Sequence, residues 1–152
     1  MLTLFVDDLL ITGPSNKVLE DVRHDLQSFF EMSDLAQATQ ILGIEIKQEL
    51  SKGTIKLSQG KYTLSVLKRF NMDTSNPVHT PETGVELKTI PEGSTLLSEA
   101  AKKEYQSLCG SLVFLTNCTR YDIAYSTMQA ARHMSSPTTA HMGAGKRILR
   151  YL

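Results

Sequence analysis

Membrane-spanning segments are absent from the sequence, because no apolar run approaches the roughly 20 residues that a transmembrane helix needs. Internal repeats and low-complexity segments are absent as well. The apolar start at residues 1–6 lacks a basic flank and runs straight into two aspartates, which does not fit a signal peptide. We therefore expect an intracellular protein, cytoplasmic or nuclear, that binds no membrane. Its 152 residues are enough for one ordinary domain with a buried core.

Cysteine is scarce, with only Cys109 and Cys118 present. The two lie nine residues apart in one predicted helix, on roughly opposite sides of it, so they can neither bridge each other nor share a metal. We interpret both as buried structural thiols. The four histidines show no ligand-like spacing either.

Formal net charge is also lacking, but the charged residues are distributed unevenly. Residues 1–50 carry three basic and nine acidic side chains, residues 51–119 carry eight and six, and residues 120–152 carry five and one. This asymmetry suits a metal site near one end and a phosphate-facing surface near the other. Two differently solvated faces would explain the charges equally well.

Two short apolar runs, residues 2–6 and 9–12, flank Asp7-Asp8 and predict a β-hairpin with the aspartates as its two-residue turn. Favoured turns of this length need positive φ, which aspartate adopts less readily than glycine or asparagine. Local strain and like-charge repulsion are more expected at a functional site than in a spacer, although Asp-Asp also occurs in ordinary solvated turns. Carboxylates are hard ligands for the divalent metals of phosphoryl transfer, so the pair predicts half of a metal site.

The remaining pattern mixes strands and helices. A helix follows Ser15 or Asn16, with an apolar stripe of Val18, Leu19, Val22, Leu26, Phe29 and Phe30. A second hairpin pairs residues 41–46 with residues 54–57, and a helix capped by Ser58 follows. Residues 71–98 form an irregular connection rich in proline and glycine. Three helices end the chain: one capped by Ser98, one from about Asp122 to Met134 and one from near Thr138. Their predicted inward residues include Tyr105, Leu108, Cys109, Leu112 and Val113.

The stretch around the aspartates is Phe5-Val6-Asp7-Asp8-Leu9-Leu10-Ile11-Thr12-Gly13. It resembles the palm of copia-type retrotransposon reverse transcriptases, which carry an aromatic residue, Val-Asp-Asp-Leu-Leu-Ile, a hydroxyl residue and Gly. The resemblance continues in the family's order and spacing through residues 30–35, 41–46, 57–62, 80–81, 105–112, 115–116, 119–125 and 146–152. Each piece alone is weak, but the ordered set covers essentially the whole chain.

The resemblance implies an α+β fold, namely a partial right-hand polymerase palm of β-hairpins with a packed helix, followed by a helical thumb-like bundle. Residues 1–57 would hold the partial palm, with the catalytic Asp-Asp hairpin and a primer-grip-like hairpin. Residues 58–97 would form the first thumb helix and the Pro/Gly-rich connection. Residues 98–152 would form a helical thumb or connection segment.

The same resemblance implies roles for particular residues. Asp7 and Asp8 would be catalytic and would bind metal, with Mg²⁺ or Mn²⁺ in the complete enzyme. Leu42-Gly43 would be primer-grip-like, although an ordinary bulge would also explain Gly43. The candidate phosphate contacts are basic residues, each of which a solvated helix face would also explain: Lys61, Lys68, Arg69, Lys146, Arg147 and Arg150. Partners of the parent enzyme would be a template-primer duplex of RNA or DNA and deoxynucleotides. We interpret Tyr62 and Tyr125 as core residues rather than base-stacking platforms.

Departures from the family pattern weaken the case for activity of the chain alone. Phe5 replaces a tyrosine, Tyr121 a proline and Ile41 a phenylalanine. The family's fingers and its other palm carboxylate would precede Met1. We therefore expect a polymerase fragment without activity on its own, with self-association through exposed palm edges. The alternatives are a non-catalytic retroelement remnant that binds nucleic acid or protein, and an unrelated small α+β interaction domain.

Overall fold

Residues 1–34, 36–82, 84, 87–88 and 92–152 are described by a computed structural model of the chain. The chain divides into two units, Met1–Lys56 and Leu57–Leu152. Five strands and five α-helices lie within the described residues, which confirms the expected α+β class. None of these described helices is both long and apolar enough to cross a membrane.

The first unit begins with the predicted hairpin, in which β1 (Leu2–Phe5) pairs with antiparallel β2 (Asp8–Ile11). Helix α1 (Asn16–Phe29) follows. Ser15 is its N-cap and accepts a hydrogen bond from the Val18 N–H, as predicted.

A three-stranded sheet of order β3-β4-β5 follows, formed by β3 (Gln40–Ile41), β4 (Ile44–Glu49) and β5 (Thr54–Ser58). The predicted hairpin between residues 46 and 54 is present, closed by a 3-10 turn (Leu50–Lys52) and by Gly53 at φ 60°. The single strand predicted over residues 41–46 is wrong, because Leu42 and Gly43 form a second turn within it.

The first unit buries none of its described residues. The predicted apolar stripe of α1 is only half-buried at Leu19, Val22 and Leu26, and it is exposed at both ends. Phe29, for example, has 81% of its surface exposed. The predicted stripe is therefore only partly covered.

The second unit is helical, with α2 (Gly60–Arg69), α3 (Glu99–Cys118), a 3-10 turn (Tyr121–Ile123), α4 (Ala124–Ala131) and α5 (Thr139–Tyr151). Ser98 caps α3 through the Ala101 N–H, as predicted. Ser58 does not cap α2, because Gln59 occupies the N-cap position. The helix predicted to reach Met134 ends at Ala131.

The hydrophobic core lies entirely in the second unit and centres on α3. Its buried side chains recur at helical spacing: Val66, Phe70, Tyr105, Leu108, Cys109, Leu112, Leu115, Ile123, Ala130, Ile148 and Leu149. The Tyr105 hydroxyl donates to the Ala130 carbonyl at 2.7 Å, which satisfies a polar group that burial would otherwise isolate. Helices α3 and α5 approach closely at Gly145, where a Cβ would lie 2.8 Å from the Leu108 side chain.

The two cysteines differ in environment. Cys109 is buried, and burial raises the pKa of its thiol to about 11. Cys118 is only half-buried, so the prediction that both thiols are buried holds for Cys109 alone. Both are free thiols.

Helix α5 hydrogen-bonds to part of the connection that precedes α3. The Arg150 Nε donates to the Asn76 carbonyl at 2.7 Å, and the Arg150 backbone carbonyl accepts from the Val78 N–H at 3.2 Å. Close to the α5 N-terminus, the Leu97 N–H donates to the Pro137 carbonyl at 2.9 Å. Residues 83, 85–86 and 89–91 of the predicted connection, and Leu35 of the predicted motif, lie outside the described residues.

Candidate active site and nucleic-acid surface

The turn of the first hairpin consists of Val6 and Asp7, because Phe5 pairs with Asp8. Asp8 is therefore the first residue of β2, and the prediction of an Asp7-Asp8 turn is wrong by one position. The register still places both carboxylates at the tip of the hairpin, and both residues are exposed.

Val6 adopts φ 51°, a left-handed conformation that is unusual for a β-branched residue. Positive φ at the first of two turn residues is typical of type II′ turns, where glycine is usual. Such strain costs about 1–3 kcal/mol and is concentrated at functional sites. The expected strain is therefore present at this turn, but it falls on the residue before the aspartates.

The two carboxylates fit a divalent cation by chemistry, since Mg²⁺ and Mn²⁺ prefer oxygen ligands. They do not complete a site, because no group of three His, Cys, Asp or Glu side chains suited to a metal exists among the described residues. Asp7 and Asp8 are accordingly candidates for part of a metal site only.

Leu42 and Gly43 form the tip of the β3-β4 hairpin, where Ile41 pairs with Ile44. Both turn residues have positive φ, 50° for Leu42 and 77° for Gly43. This is the pattern of a type I′ turn, which needs glycine or asparagine and tolerates leucine poorly. Gly43 is therefore a turn residue rather than a bulge, and the Leu42 side chain is exposed at the tip.

Three candidate phosphate contacts lie on α2. Lys61, Lys68 and Arg69 are all exposed, and the last two lie in the final turn of the helix. Arg69 reaches the Ser111 hydroxyl of α3 at 3.5 Å. The structure therefore brings the basic end of α2 next to α3.

The three basic candidates on α5 are partly buried, and two of them hydrogen-bond to the preceding connection. Arg147 donates to the Thr80 hydroxyl at 3.0 Å, and Arg150 donates to the Asn76 carbonyl. Lys146 is also half-buried. The two arginines thus have structural partners, which the sequence pattern did not reveal.

Tyr125 was predicted to be a core residue, and this is wrong, because 64% of its surface is exposed. Tyr121, in the 3-10 turn before α4, and Met128, in α4, are exposed as well. Tyr62 is correctly predicted, since it packs against the core and its ring meets that of Phe114 edge-on, with 4.9 Å between ring centroids.

His133 and His141 are stacked, with ring centroids 4.0 Å apart, a pairing that sequence spacing did not indicate. His141 is buried, and its Nδ1 accepts from the Thr138 N–H at 3.0 Å while its Nε2 meets the Lys88 carbonyl at 2.9 Å. Burial, and then the neighbouring His141, lower the pKa of His133 below its ordinary 6.5. Both ring nitrogens of His141 are therefore engaged within the chain.

The family model described as reverse transcriptase (RNA-dependent DNA polymerase) matches residues 1–84, which include both hairpin tips. The chain belongs to the copia-type reverse transcriptase family. The resemblance of the sequence to that family is thereby confirmed.

The chain spans only part of the length of each relative compared with it. It is 40% identical to the retrovirus-related Pol polyprotein from transposon TNT 1-94 of Nicotiana tabacum, over all of this chain and 12% of that protein. It is 38% identical to the Pol polyprotein from transposon RE1 of Arabidopsis thaliana, over 98% of this chain and 10% of the relative. An uncharacterized mitochondrial protein of Arabidopsis thaliana is 37% identical over 99% of this chain and 60% of its own length. The comparison with solved structures finds no match.

Proposed function

We propose that this chain is part of an RNA-directed DNA polymerase of a copia-type retrotransposon and that it holds one portion of the palm. In the parent enzyme the reaction is metal-dependent nucleotidyl transfer, in which a 3′-hydroxyl attacks the α-phosphate of a deoxynucleotide. The observation that carries the proposal is the first hairpin, whose strained Val6 turn presents two exposed carboxylates. Membership of the reverse transcriptase family supports this assignment.

Asp7 and Asp8 are the residues that would hold the metal. A bound Mg²⁺ or Mn²⁺ supplies charge stabilisation for the phosphoryl oxygens. The chain's own contribution is to keep two carboxylates fixed on a short hairpin with defined pairing up to Asp8. Because the described residues provide no third ligand nearby, we propose that the chain does not polymerise DNA by itself.

We assign the second hairpin tip, Leu42-Gly43, to contact with the primer end. Its two positive φ values make a narrow turn, and Gly43 has no side chain to keep a partner backbone away. The helical second unit is proposed to correspond to the thumb. Its net charge favours a polyanion, since residues 57–152 carry eleven basic and seven acidic side chains.

Within the second unit, Lys68 and Arg69 are the preferred phosphate contacts. Both are exposed at the end of α2, whereas Arg147 and Arg150 are partly buried and hydrogen-bond to the preceding connection. Phosphate contacts of this kind position a template-primer duplex without reading its sequence.

Self-association is a further part of the proposal, supported by exposed apolar side chains such as Leu4 and Ile55 on strands. A monodisperse monomer in sedimentation experiments would contradict that part.

Manganese binding tests the role of the aspartates directly. We expect the chain to enhance the water-proton relaxation of Mn²⁺ and the Asp7→Asn, Asp8→Asn variant to lose most of that effect. The matched control is Asp21→Asn, Asp25→Asn, which removes the same charge from exposed positions on α1. Equal loss in both variants would show that Mn²⁺ binding depends on the overall charge of the chain rather than on Asp7 and Asp8, and it would refute the site.

Primer extension on a homopolymer template with Mg²⁺ or Mn²⁺ tests whether the chain acts alone. We expect no extension by the chain or by the double variant. Extension that disappears in the Asp7→Asn, Asp8→Asn variant would show that the chain completes its site, and the proposal of inactivity would be wrong.

A non-catalytic role is the second candidate, favoured by the incomplete set of metal ligands. In that case the chain binds a nucleic-acid duplex through Lys68 and Arg69, and Asp7 and Asp8 bind no metal. Duplex binding that is weakened by Lys68→Gln, Arg69→Gln, together with absent Mn²⁺ binding, would favour this candidate.

A further inference from the structure

The stacked histidines of the second unit join two of its helices to the connection that precedes α3. His133 follows the end of α4, and His141 lies in the first turn of α5. Their ring centroids are 4.0 Å apart, with 8° between the ring planes. His141 is fully buried, whereas His133 is half-buried. The pair therefore holds a ring that water does not reach against a second ring that is partly accessible.

Two backbone groups fix the protonation state of His141 in this arrangement. The Thr138 N–H can only donate, and it meets Nδ1 at 3.0 Å, so Nδ1 carries a lone pair. The Lys88 carbonyl can only accept, and it lies 2.9 Å from Nε2, so Nε2 carries the proton. The ring is therefore neutral, and it links the N-cap residue of α5, Thr138, to the connection.

A proton added to either ring disturbs this arrangement at a defined atom. At Nδ1 of His141 it would replace the lone pair by an N–H that opposes the Thr138 N–H, and the capping interaction would be lost. The Nε2 of His133 is buried and has no hydrogen-bond partner among the described residues. Because an imidazolium carries an N–H on both nitrogens, protonated His133 would bury an unpaired donor.

The surroundings of His133 also favour the neutral pair. Burial has the largest influence on its pKa and lowers it, followed by His141 on α5, and Arg132 at the end of α4 lowers it as well. The Leu87 backbone in the connection acts in the opposite direction. Two charged rings at a centroid distance of 4.0 Å would repel each other, so the two histidines respond to pH as one unit.

We propose that the His133–His141 pair is a pH-sensitive switch that binds the connection at Lys88 to the N-terminus of α5 while both rings are neutral. A proton gained by the pair breaks the Thr138 cap and the Lys88 contact together. The switch involves neither Asp7 nor Asp8 and does not depend on polymerase activity, so it goes beyond the proposed function.

The test is an NMR titration of the full ¹³C,¹⁵N-labelled chain from about pH 8 to about pH 5. We expect the Thr138 amide and the Lys88 carbonyl resonances to shift together with the His133 ring, with a midpoint below 6.5. Hydrogen-exchange protection of the Thr138 amide, corrected for the intrinsic effect of pH, should fall roughly fivefold through the loss of one hydrogen bond. The Leu112 amide in the core should keep its protection.

Two results with the unaltered chain would overturn the proposal. Thr138 and Lys88 resonances that stay in place while the His133 ring titrates would show that the pair does not control the contact. Loss of Leu112 protection at the same midpoint would show that the whole unit unfolds instead of a local contact opening.

The variant His141→Gln removes the titrating ring but keeps a side chain that caps, since glutamine at this position completes a capping box with the Thr138 N-cap. We expect its Thr138 protection to become independent of pH. The matched control is His79→Gln at an exposed position of the same connection, which should keep the pH dependence of the unaltered chain. An unchanged midpoint in His141→Gln, or a lost one in His79→Gln, would refute the assignment. The titration of the unaltered chain decides the matter even if His141→Gln does not fold.

Discussion

The close approach of α3 and α5 yields a sharp prediction from two glycines on the same helix. A Cβ at Gly145 would lie 2.8 Å from Leu108 Cδ2 and 3.6 Å from the Tyr105 ring, and both of those side chains are fully buried. A Cβ at exposed Gly143 would meet nothing within 4 Å. The substitutions Gly143→Ala and Gly145→Ala therefore change helix propensity equally but change packing very differently.

The magnitudes follow from these two effects. Replacing a helical glycine by alanine stabilises by about 1 kcal/mol, so Gly143→Ala should raise the free energy of unfolding by about that amount. Overpacking at Gly145 costs about 1–3 kcal/mol, which leaves Gly145→Ala neutral to about 2 kcal/mol less stable than the original chain. The two variants should thus differ by about 2 kcal/mol, or roughly 8–16 °C in Tm for a unit of this size.

Urea denaturation followed by far-UV circular dichroism measures this difference. The slope of the unfolding free energy against urea should be the same in both variants, because neither changes the surface exposed on unfolding. If Gly145→Ala were as stabilising as Gly143→Ala, the α3-α5 contact would be looser than described and the reasoning would fail.

Three further predictions concern titration, thiol reactivity and strain. The pKa of His133 in the folded chain is lowered from 6.5, so just below that pH the folded state binds fewer protons than the unfolded state. Thermal melts should therefore show full stability above pH 6.5 and a loss of stability as the pH falls through the lowered pKa. A thiol reagent at neutral pH should modify Cys118 in the folded chain and Cys109 only after unfolding, since burial raises the pKa of Cys109 to about 11. Val6→Gly should relieve about 1 kcal/mol of strain and slow hydrogen exchange of the β1-β2 amides roughly fivefold.

Each of these predictions has its own control. His133→Gln should flatten the pH dependence, whereas His24→Gln at an exposed position of α1 should leave it unchanged; the opposite result would assign the effect elsewhere. Equal labelling rates of the two thiols in the folded chain would contradict the burial of Cys109. Faster exchange in Val6→Gly would mean that the turn is not strained at that residue.

Patterns that depend on local chemistry were predicted well from the sequence. Ser15 and Ser98 were recognisable as caps because a hydroxyl precedes each helical pattern, and both cap their helices. The inward positions Tyr105, Leu108 and Leu112 follow from helical periodicity, and all three are buried. These features need no knowledge of what the rest of the chain does.

Features that depend on pairing or docking were missed. The turn at Val6 was misplaced by one residue, because the register is set by the pairing of Phe5 with Asp8 and not by the composition of the turn. The turn at Leu42-Gly43 was missed within a nearly continuous apolar run that offered no polar break. Exposure of Tyr125 depends on which face of α4 packs against its neighbours, and periodicity alone does not fix that choice. The hydrogen bond from the Thr119 hydroxyl to the Gln59 side chain likewise joins residues 60 positions apart in the chain.

The anchoring of the connection by α5 also bears on how the chain is made. Asn76 is separated by 74 residues from Arg150, whose side chain binds its carbonyl. At roughly 5–20 residues per second, a ribosome needs about 4–15 s to extend the chain from the first residue to the second. During that interval the Asn76–Val78 segment has been synthesised but lacks the partners that later hold it. We therefore expect the nascent second unit to be open to chaperones and proteases at this segment until α5 emerges and docks.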